Sequence, residues 1–325
     1  MELIDSFGRK INYLRLSVTD RCNMRCRYCM PAEGVAKLCH DDILSYEELF
    51  QIARSAVALG IEKIRVTGGE PLVRKGIIDF LAQLAVIPGL KQLVLTTNGL
   101  CLEEMAEDLR AAGVQRLNIS LDSLQPEVFA RITRGGDLSR VLAGISAAEQ
   151  AGFPVKINMV VMRGINDAEV IDVASLALEK HYTIRFIEYM PAIKEKNWQS
   201  LVVPGWEIMS RIGEKFEFSP IDKKDLAGPA REYRIKGGVG TLGVITPITG
   251  HFCGECNRIR VTASGMAKGC LFSSADVDLK PYTRTSDTHG LHEALRRIVT
   301  GKPGMHQVSA RHADHSAFSM SGVGG

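Results

Sequence analysis

Apolar and polar residues alternate with two different periods through the first 190 residues of the chain. Six short segments show the two-residue alternation of β-strands, and segments with helical spacing separate them. The predicted strands are residues 13–18, 62–67, 92–97, 115–120, 155–161 and 183–189. Because strand, helix and strand follow one another at this spacing, we expect parallel strands joined by crossover helices.

The predicted helices have clear start and stop signals. Ser45 and Glu48 form a capping box at the start of the first helix, and Gly60 follows its end. Gly113 and Gly152 end two later helices in the same way. Six such units predict an α/β fold, a partial (βα)6 barrel that is two units short of the eight-stranded barrel.

One face of the predicted strands is polar, although parallel strands covered by helices are usually apolar throughout. Arg15, Arg65 and Lys156 lie on this face, opposite aliphatic residues. Helices must cover the apolar face, so the polar side chains point into the barrel. Because buried cations need partners, we expect an interior cavity with an anionic occupant. An antiparallel sheet with one wet face is the alternative, but it would need hairpin links.

Beyond residue 190 the pattern changes. A predicted helix at 204–216 precedes a loop at 223–230 with Gly and Pro, and β-like segments follow at 231–237 and 240–247. From about residue 281 the sequence is polar and weakly patterned. We therefore divide the chain into a partial barrel, residues 1–200, and a C-terminal region, residues 201–325.

Composition indicates a soluble globular protein. The chain has 325 residues, of which 45% are hydrophobic and 24% charged. It has no apolar run long enough to span a bilayer, and its N-terminus lacks the apolar run of a signal peptide. Eight cysteines are too few for a disulfide scaffold, so a cytoplasmic location is expected. A net charge of +3 is too small to indicate nucleic-acid binding, and neither nucleic acid nor membrane is predicted as a partner.

Six of the cysteines fall into two triplets. The first has the spacing C-x3-C-x2-C and the second C-x2-C-x13-C; their members are Cys22, Cys26, Cys29 and Cys253, Cys256, Cys270. Three thiolates can hold a four-iron cluster and leave one iron free to bind a small molecule. Zinc is the alternative, and His251 could complete four ligands around the second triplet. Cys39 and Cys101 belong to neither triplet.

The first triplet, with Tyr28 before its last cysteine, resembles the signature of radical S-adenosylmethionine enzymes. TGGEP at residues 67–71 resembles the glycine-rich motif that meets the methionine amino group in that family. The resemblance implies a cluster that donates an electron to bound S-adenosylmethionine and releases a 5′-deoxyadenosyl radical. The family's fold is also a partial (βα)6 barrel.

Within this superfamily the chain resembles the GTP 3′,8-cyclases of molybdenum cofactor biosynthesis. The segments that carry the resemblance are LRLSVTDRCNMRCRYCMP, IRVTGGEPL, LTTNG, NISLDS, RFIEYM, CNRIR, the second triplet and the terminal Gly-Gly. It implies that hydrogen is abstracted from C3′ of GTP and that C3′ then bonds to C8. Two [4Fe-4S] clusters and S-adenosylmethionine are the implied cofactors, with guanine on the open iron of the second cluster. The implied partners are a reducing electron donor, cyclic pyranopterin monophosphate synthase and a second copy of the chain.

The resemblance also implies roles for individual residues. The catalytic set is the first triplet with the terminal glycines, Gly324 and Gly325, which enter the active site. The residues implied to line the S-adenosylmethionine site are Tyr28, Gly69, Ser120 and Met190. Those implied to contact GTP are Arg15, Arg65, Thr96, Lys156, Arg258, Ile259 and Arg260. Guanidinium groups suit phosphate oxygens, and Arg258 and Arg260 alternate on one strand face beside Cys256.

Two other functions are compatible with parts of this pattern. One is a radical S-adenosylmethionine enzyme with an auxiliary cluster that modifies a peptide, but such enzymes often have more C-terminal cysteines and do not need the paired arginines. The other is a metal-bearing binding module, for example for nucleic acid. The chain lacks the basic stripe with stacking aromatic residues that such a module uses.

Overall fold

The computed structural model describes residues 2–192, 197–222, 225–273, 277–306, 308 and 320–323. Within these residues twelve strands form one sheet. The strands are Tyr13–Ser17 (β1), Lys63–Thr67 (β2), Gln92–Thr97 (β3), Arg116–Ser120 (β4), Val155–Val161 (β5), Thr183–Glu188 (β6), Phe218–Ile221 (β7), Arg231–Ile235 (β8), Thr241–Ile245 (β9), Arg258–Val261 (β10), Met266–Lys268 (β11) and Val277–Asp278 (β12). The helices are Tyr46–Ala58 (α1), Ile77–Ala85 (α2), Leu102–Ala111 (α3), Pro126–Thr133 (α4), Leu138–Gln150 (α5), Val170–Glu179 (α6), Gly205–Gly213 (α7), Lys280–Arg284 (α8), Thr288–Thr300 (α9) and Met320–Val323 (α10).

The first six strands are parallel and adjacent in chain order, with at least one helix in each connection. This confirms the predicted α/β fold and excludes the antiparallel alternative. The C-terminal strands extend both edges of the same sheet, because β10 pairs in parallel with β1 and β9 pairs in parallel with β6. The division of the chain at residue 200 stays a prediction.

The predicted helix signals have the expected geometry. Ser45 Oγ accepts a hydrogen bond from the backbone N–H of Glu48 at 3.2 Å, and the Glu48 carboxylate accepts one from the Ser45 N–H at 2.7 Å. Gly60 follows α1 with φ +104°, a conformation that favours glycine. The capping box and the glycine therefore fix both ends of α1.

The two faces of the central strands differ as predicted. Leu14, Leu16 and Ile64 are fully buried under the helices and belong to the main hydrophobic core. Arg15 and Arg65, which alternate with them, line a cavity on the other face. The strand period of two therefore separates the core from the site.

The segment after residue 280 is more regular than its pattern suggests. In α9 the side chains of Leu291, Leu295 and Ile298 are buried in the main core, and the helix packs on α1 and β11. Asp287 caps the helix by accepting a hydrogen bond from the Gly290 N–H at 2.8 Å. Polar residues on the outer face lower the average hydropathy, so the apolar stripe shows only at helical spacing. None of the described helices is long and apolar enough to cross a membrane.

Replacing Leu295 by alanine is expected to lower the free energy of unfolding by about 2–5 kcal/mol, because it leaves a cavity under α9. Glu293→Ala, on the exposed face of the same helix, is the matched control and should change it by less than about 1 kcal/mol. Urea unfolding followed by circular dichroism measures both variants. Equal midpoints would show that α9 does not contribute to the core.

Candidate active site

A cavity of about 270 Å³ lies on the polar face of the sheet. A cavity of this size has room for an organic ligand, since a water molecule needs only about 15 Å³ on the same kind of measure. All six cysteines of the two triplets line it, although the triplets are more than two hundred residues apart in sequence. The fold therefore brings the two predicted cluster sites to one space.

The first triplet lies on the loop after β1. Within this loop the Cys29 N–H donates to the Cys26 carbonyl at 2.9 Å, and the Arg27 N–H donates to the Ile132 carbonyl of α4 at 2.9 Å. The three cysteines are free thiols and half-buried. Burial raises the pKa of Cys22 to about 12, so a bound metal is needed to keep this sulfur as a thiolate. Three thiols in such a setting fit an iron–sulfur cluster.

The glycine-rich turn after β2 packs directly on the first loop. A Cβ atom at Gly69 would lie 2.2 Å from the Arg21 carbonyl oxygen, so only glycine allows this approach. The next residue, Glu70, is buried, and its carboxylate accepts hydrogen bonds from Thr97 Oγ1 at 2.8 Å and the Asn98 N–H at 2.7 Å. Burial raises the pKa of Glu70 to about 7. A buried carboxyl group is thus held beside the first triplet, where it could accept hydrogen bonds from an amino group.

The residues predicted for S-adenosylmethionine all line the cavity: Tyr28, Gly69, Ser120 and Met190. Tyr28 Oη donates a hydrogen bond to Asp122 Oδ2 at 2.7 Å. Asp122 also accepts from the Val160 N–H at 2.8 Å, and burial raises its pKa to about 6. Asp122 thereby holds the aromatic residue of the cysteine loop. The contacts of these residues with S-adenosylmethionine stay predictions.

The strand register places cationic side chains in two adjacent rows. Arg15 on β1 pairs with Arg65 on β2 and with Arg260 on β10. Tyr13, two residues earlier, pairs with Lys63 on one side and Arg258 on the other. Because neighbouring strands lie about 4.8 Å apart, the charges in the first row are direct neighbours. Like charges in such positions repel one another.

This repulsion adds to the effect of burial and lowers the pKa values of cations in both rows. Burial, together with the neighbouring Arg65, lowers the pKa of Lys63 to about 7. Burial and the neighbouring Arg258 lower the pKa of Arg260 to about 10. Among the described residues, the buried atoms Arg65 Nε and Thr96 Oγ1 also have no hydrogen-bond partner. The cavity wall therefore fits a polyanion that would neutralise the charges and supply acceptors.

Two predicted residues that the structure describes, Lys156 and Ile259, do not line this cavity. Lys156 lies on the polar face but pairs with Glu232 at 3.1 Å, and burial lowers its pKa to about 7. The Ile259 side chain is buried in the main core, so a contact with substrate would have to come from its backbone. Gly324 and Gly325 lie outside the described residues. Met320, shortly before them, lines the cavity, and its N–H donates to the Cys29 carbonyl at 3.3 Å.

The second triplet is positioned by the β10–β11 hairpin. Cys253 begins a 3₁₀ turn before β10, and Cys270 follows β11. Burial alone would raise the pKa of Cys256, but the charges of Arg258 and Lys302 outweigh it and lower that pKa to about 6. A thiolate is therefore favoured at neutral pH, as a metal ligand requires.

The zinc alternative has some geometric support at this triplet. His251, Cys253 and His306 have ligand atoms within 4.8 Å of one another. Such a donor set suits zinc, but it uses one of the three thiols. All three thiols line the same cavity, which favours an iron–sulfur cluster.

The sequence pattern gave no role to several residues of the site. Arg185 lines the cavity and pairs with Glu232 at 2.7 Å, and the alternation along β6 could have placed it on the cavity face. Asp122, in the NISLDS segment, also lines the cavity. Lys302 and His306 follow α9, in a segment whose pattern gives no signal.

Two family models match most of the chain. The chain matches the Radical SAM superfamily over residues 16–177 and Molybdenum Cofactor Synthesis C over residues 182–308. It is 68% identical over 326 residues to the GTP 3′,8-cyclase of Geobacter sulfurreducens, with 100% of both chains covered. It is 45% identical over 320 residues to the GTP 3′,8-cyclase of Moorella thermoacetica, covering 98% of this chain and 99% of that one.

The structure is similar to that of Streptococcus suis SuiB bound to S-adenosylmethionine, with a TM-score of 0.60. The match covers 89% of this chain and 69% of that chain at 11% sequence identity, so it supports the fold alone. Full-length identity with the cyclases decides the family. The chain belongs to the radical S-adenosylmethionine superfamily and, within it, to the family of GTP 3′,8-cyclases.

Proposed function

We propose that this protein is a GTP 3′,8-cyclase that makes 3′,8-cyclo-7,8-dihydro-GTP for molybdenum cofactor biosynthesis. The observation that carries the proposal is the single cavity shared by two cysteine triplets and by Arg15, Arg65 and Arg260. S-Adenosylmethionine chemistry needs one such triplet, and a nucleoside triphosphate needs a cationic wall. Family membership supports the same reaction.

The first triplet and the residues around it would hold a [4Fe-4S] cluster with S-adenosylmethionine. When bound, this pair supplies a 5′-deoxyadenosyl radical at the cost of one electron. The buried carboxyl of Glu70 is placed to accept hydrogen bonds from the methionine amino group. Tyr28, fixed by its hydrogen bond to Asp122, would position the cofactor within the cavity.

The cationic rows would bind the triphosphate. Arg15, Arg65 and Arg260 stand side by side on three strands, so they can contact several phosphate oxygens at once. The second triplet would hold a four-iron cluster through three thiolates, which would leave one iron open to the guanine base. GTP would thus be held at both ends, with its ribose between the two triplets.

The product has the same elemental composition as GTP, because GTP loses one hydrogen and gains another. The C3′–H bond breaks as its hydrogen moves to the 5′-deoxyadenosyl radical. A C3′–C8 bond then forms while the C8=N7 double bond of guanine opens and leaves the unpaired electron on N7. One further electron and a proton, both added at N7, complete the product. The enzyme therefore consumes two electrons and one S-adenosylmethionine for each turnover.

Anaerobic incubation of the reconstituted protein with S-adenosylmethionine, dithionite and GTP deuterated at C3′ tests the proposal. We expect 5′-deoxyadenosine that carries the deuterium and a new nucleotide with the mass of GTP less that deuterium plus a proton. ATP is the matched control, since it offers the same triphosphate without guanine. Release of 5′-deoxyadenosine that carries no deuterium, with no new nucleotide formed, would indicate a different radical enzyme.

Metal analysis accompanies this experiment. Two [4Fe-4S] clusters predict about eight irons per chain, whereas about one zinc at the second triplet would overturn the two-cluster assignment.

The proposed partners are an electron donor, a second copy of the chain and cyclic pyranopterin monophosphate synthase, which would consume the product. All eight cysteines are free thiols, which supports a reducing, cytoplasmic location. In this proposal residues 1–200 supply the first triplet and residues 201–325 the second.

A further inference from the structure

A buried lysine contacts the second triplet from the segment after α9. Lys302 has an exposed fraction of 3%, and its Nζ donates to Cys256 Sγ at 3.3 Å and to the Gly269 carbonyl at 2.6 Å. Gly269 directly precedes Cys270. One ammonium group thus joins the loops that carry two of the three thiols.

Arg9 ties the third thiol, Cys253, to the same segment. Its guanidinium donates to the Cys253 carbonyl at 2.6 Å, to the Gly304 carbonyl at 3.1 Å and to the Pro303 carbonyl at 2.8 Å. An ion pair with Asp5 at 2.5 Å holds the guanidinium in place. Residues 302–304 are therefore braced against the turn that carries Cys253 and Cys256 and against the loop that carries Cys270, and Lys302 is the member that contacts sulfur.

The first triplet has the opposite electrostatic setting. Cys22 Sγ accepts hydrogen bonds from neutral donors, the Met24 N–H at 3.4 Å and Asn98 Nδ2 at 3.8 Å. The buried carboxyl groups of Glu70 and Asp122 line the cavity around this triplet. The two triplets thus share one cavity but differ in the sign of the charge around their sulfur atoms.

We propose that Lys302 is a positioning residue that raises the reduction potential of the cluster held by Cys253, Cys256 and Cys270. The inference rests on the proposed function in one respect, that this triplet holds an iron–sulfur cluster. Reduction adds one negative charge to the cluster, and a buried ammonium that donates to a ligand sulfur stabilises that charge. Hydrogen bonds to sulfur and the net local charge are known determinants of cluster potential.

A redox titration monitored by electron paramagnetic resonance tests the inference. It uses the full chain with Cys22, Cys26 and Cys29 all changed to serine, so that only the second cluster gives a signal. Lys302→Met removes both the charge and the donor, Lys302→Gln keeps a neutral donor, and Lys302→Arg keeps the charge. Lys236→Met is the control. Lys236 is exposed, directly follows β8 and does not line the cavity, so its replacement removes the same charge from the surface.

We expect the equilibrium constant for reduction of the second cluster to fall by roughly tenfold or more in Lys302→Met, the size of a lost charge-assisted hydrogen bond. Lys302→Gln should fall less, while Lys302→Arg and Lys236→Met should resemble the parent. The same Lys302→Met change in the chain with both clusters should leave the potential of the first cluster unchanged.

An unchanged potential in Lys302→Met with a full complement of iron would overturn the inference and leave Lys302 a purely structural role. If Lys302→Met fails to hold the cluster, the potentials of Lys302→Gln and Lys302→Arg are compared instead. Equal potentials of the second cluster in these two variants would overturn the inference, because they would exclude an effect of the charge at residue 302. Absence of iron from the second triplet of the parent chain would instead overturn the proposed cofactor set.

Discussion

Changing Cys22, Cys26 or Cys29 to serine is expected to abolish reductive cleavage of S-adenosylmethionine. A serine hydroxyl is a poor replacement for a thiolate ligand to iron, and each of these thiols lines the cavity. The measurement is 5′-deoxyadenosine release with dithionite as reductant. Iron content should fall by about four per chain, because the second triplet still loads.

Cys39→Ser is the matched control for this experiment. Cys39 is an exposed thiol that belongs to neither triplet, so its loss should leave both iron content and deoxyadenosine release unchanged. Cleavage that persists in any single variant of the first triplet would refute the assignment of that cysteine as a ligand.

Replacing Arg260 by alanine is expected to weaken GTP binding by roughly tenfold to a hundredfold, which corresponds to the loss of a charge-assisted contact worth about 1.5–3 kcal/mol. Arg258→Ala should act in the same direction. Arg260→Lys should recover part of the affinity, since it keeps the charge but loses the bidentate geometry. Equilibrium dialysis under anaerobic conditions gives the affinity of each variant.

Iron analysis separates binding from assembly in these variants. Arg258 Nη2 lies 3.9 Å from Cys256 Sγ, so this variant could also disturb the cluster, whereas Arg260 gives the cleaner result. Arg234→Ala removes an exposed arginine from β8 and should bind GTP normally. Unchanged affinity in a chain that lacks both Arg258 and Arg260 would place the triphosphate elsewhere.

The sequence predicted the central architecture closely because the signals were local. The fifth strand, for example, was expected at residues 155–161 and is Val155–Val161. Alternation along each strand also placed Arg15 and Arg65 on the cavity face. These inferences need only the two-residue period of a strand and the helices that must cover one face.

Contacts between distant segments could not be predicted in this way. The polar face of β5 indicated a cavity role for Lys156, but its partner Glu232 comes from β8. Lys302 reaches Cys256 only because α9 packs against the core, and its surrounding sequence has no pattern that reveals this. Such pairs follow from tertiary packing, which a single sequence does not display.

The pairing of β1 with β10 has a consequence for how the protein is made. On one side β1 pairs with β2, which is translated soon after it, but its other neighbour, residues 258–261, is translated much later. Throughout most of synthesis the nascent chain therefore exposes an unpaired strand edge beside the first cysteine loop. Protection of that edge while the chain grows is a requirement of this topology.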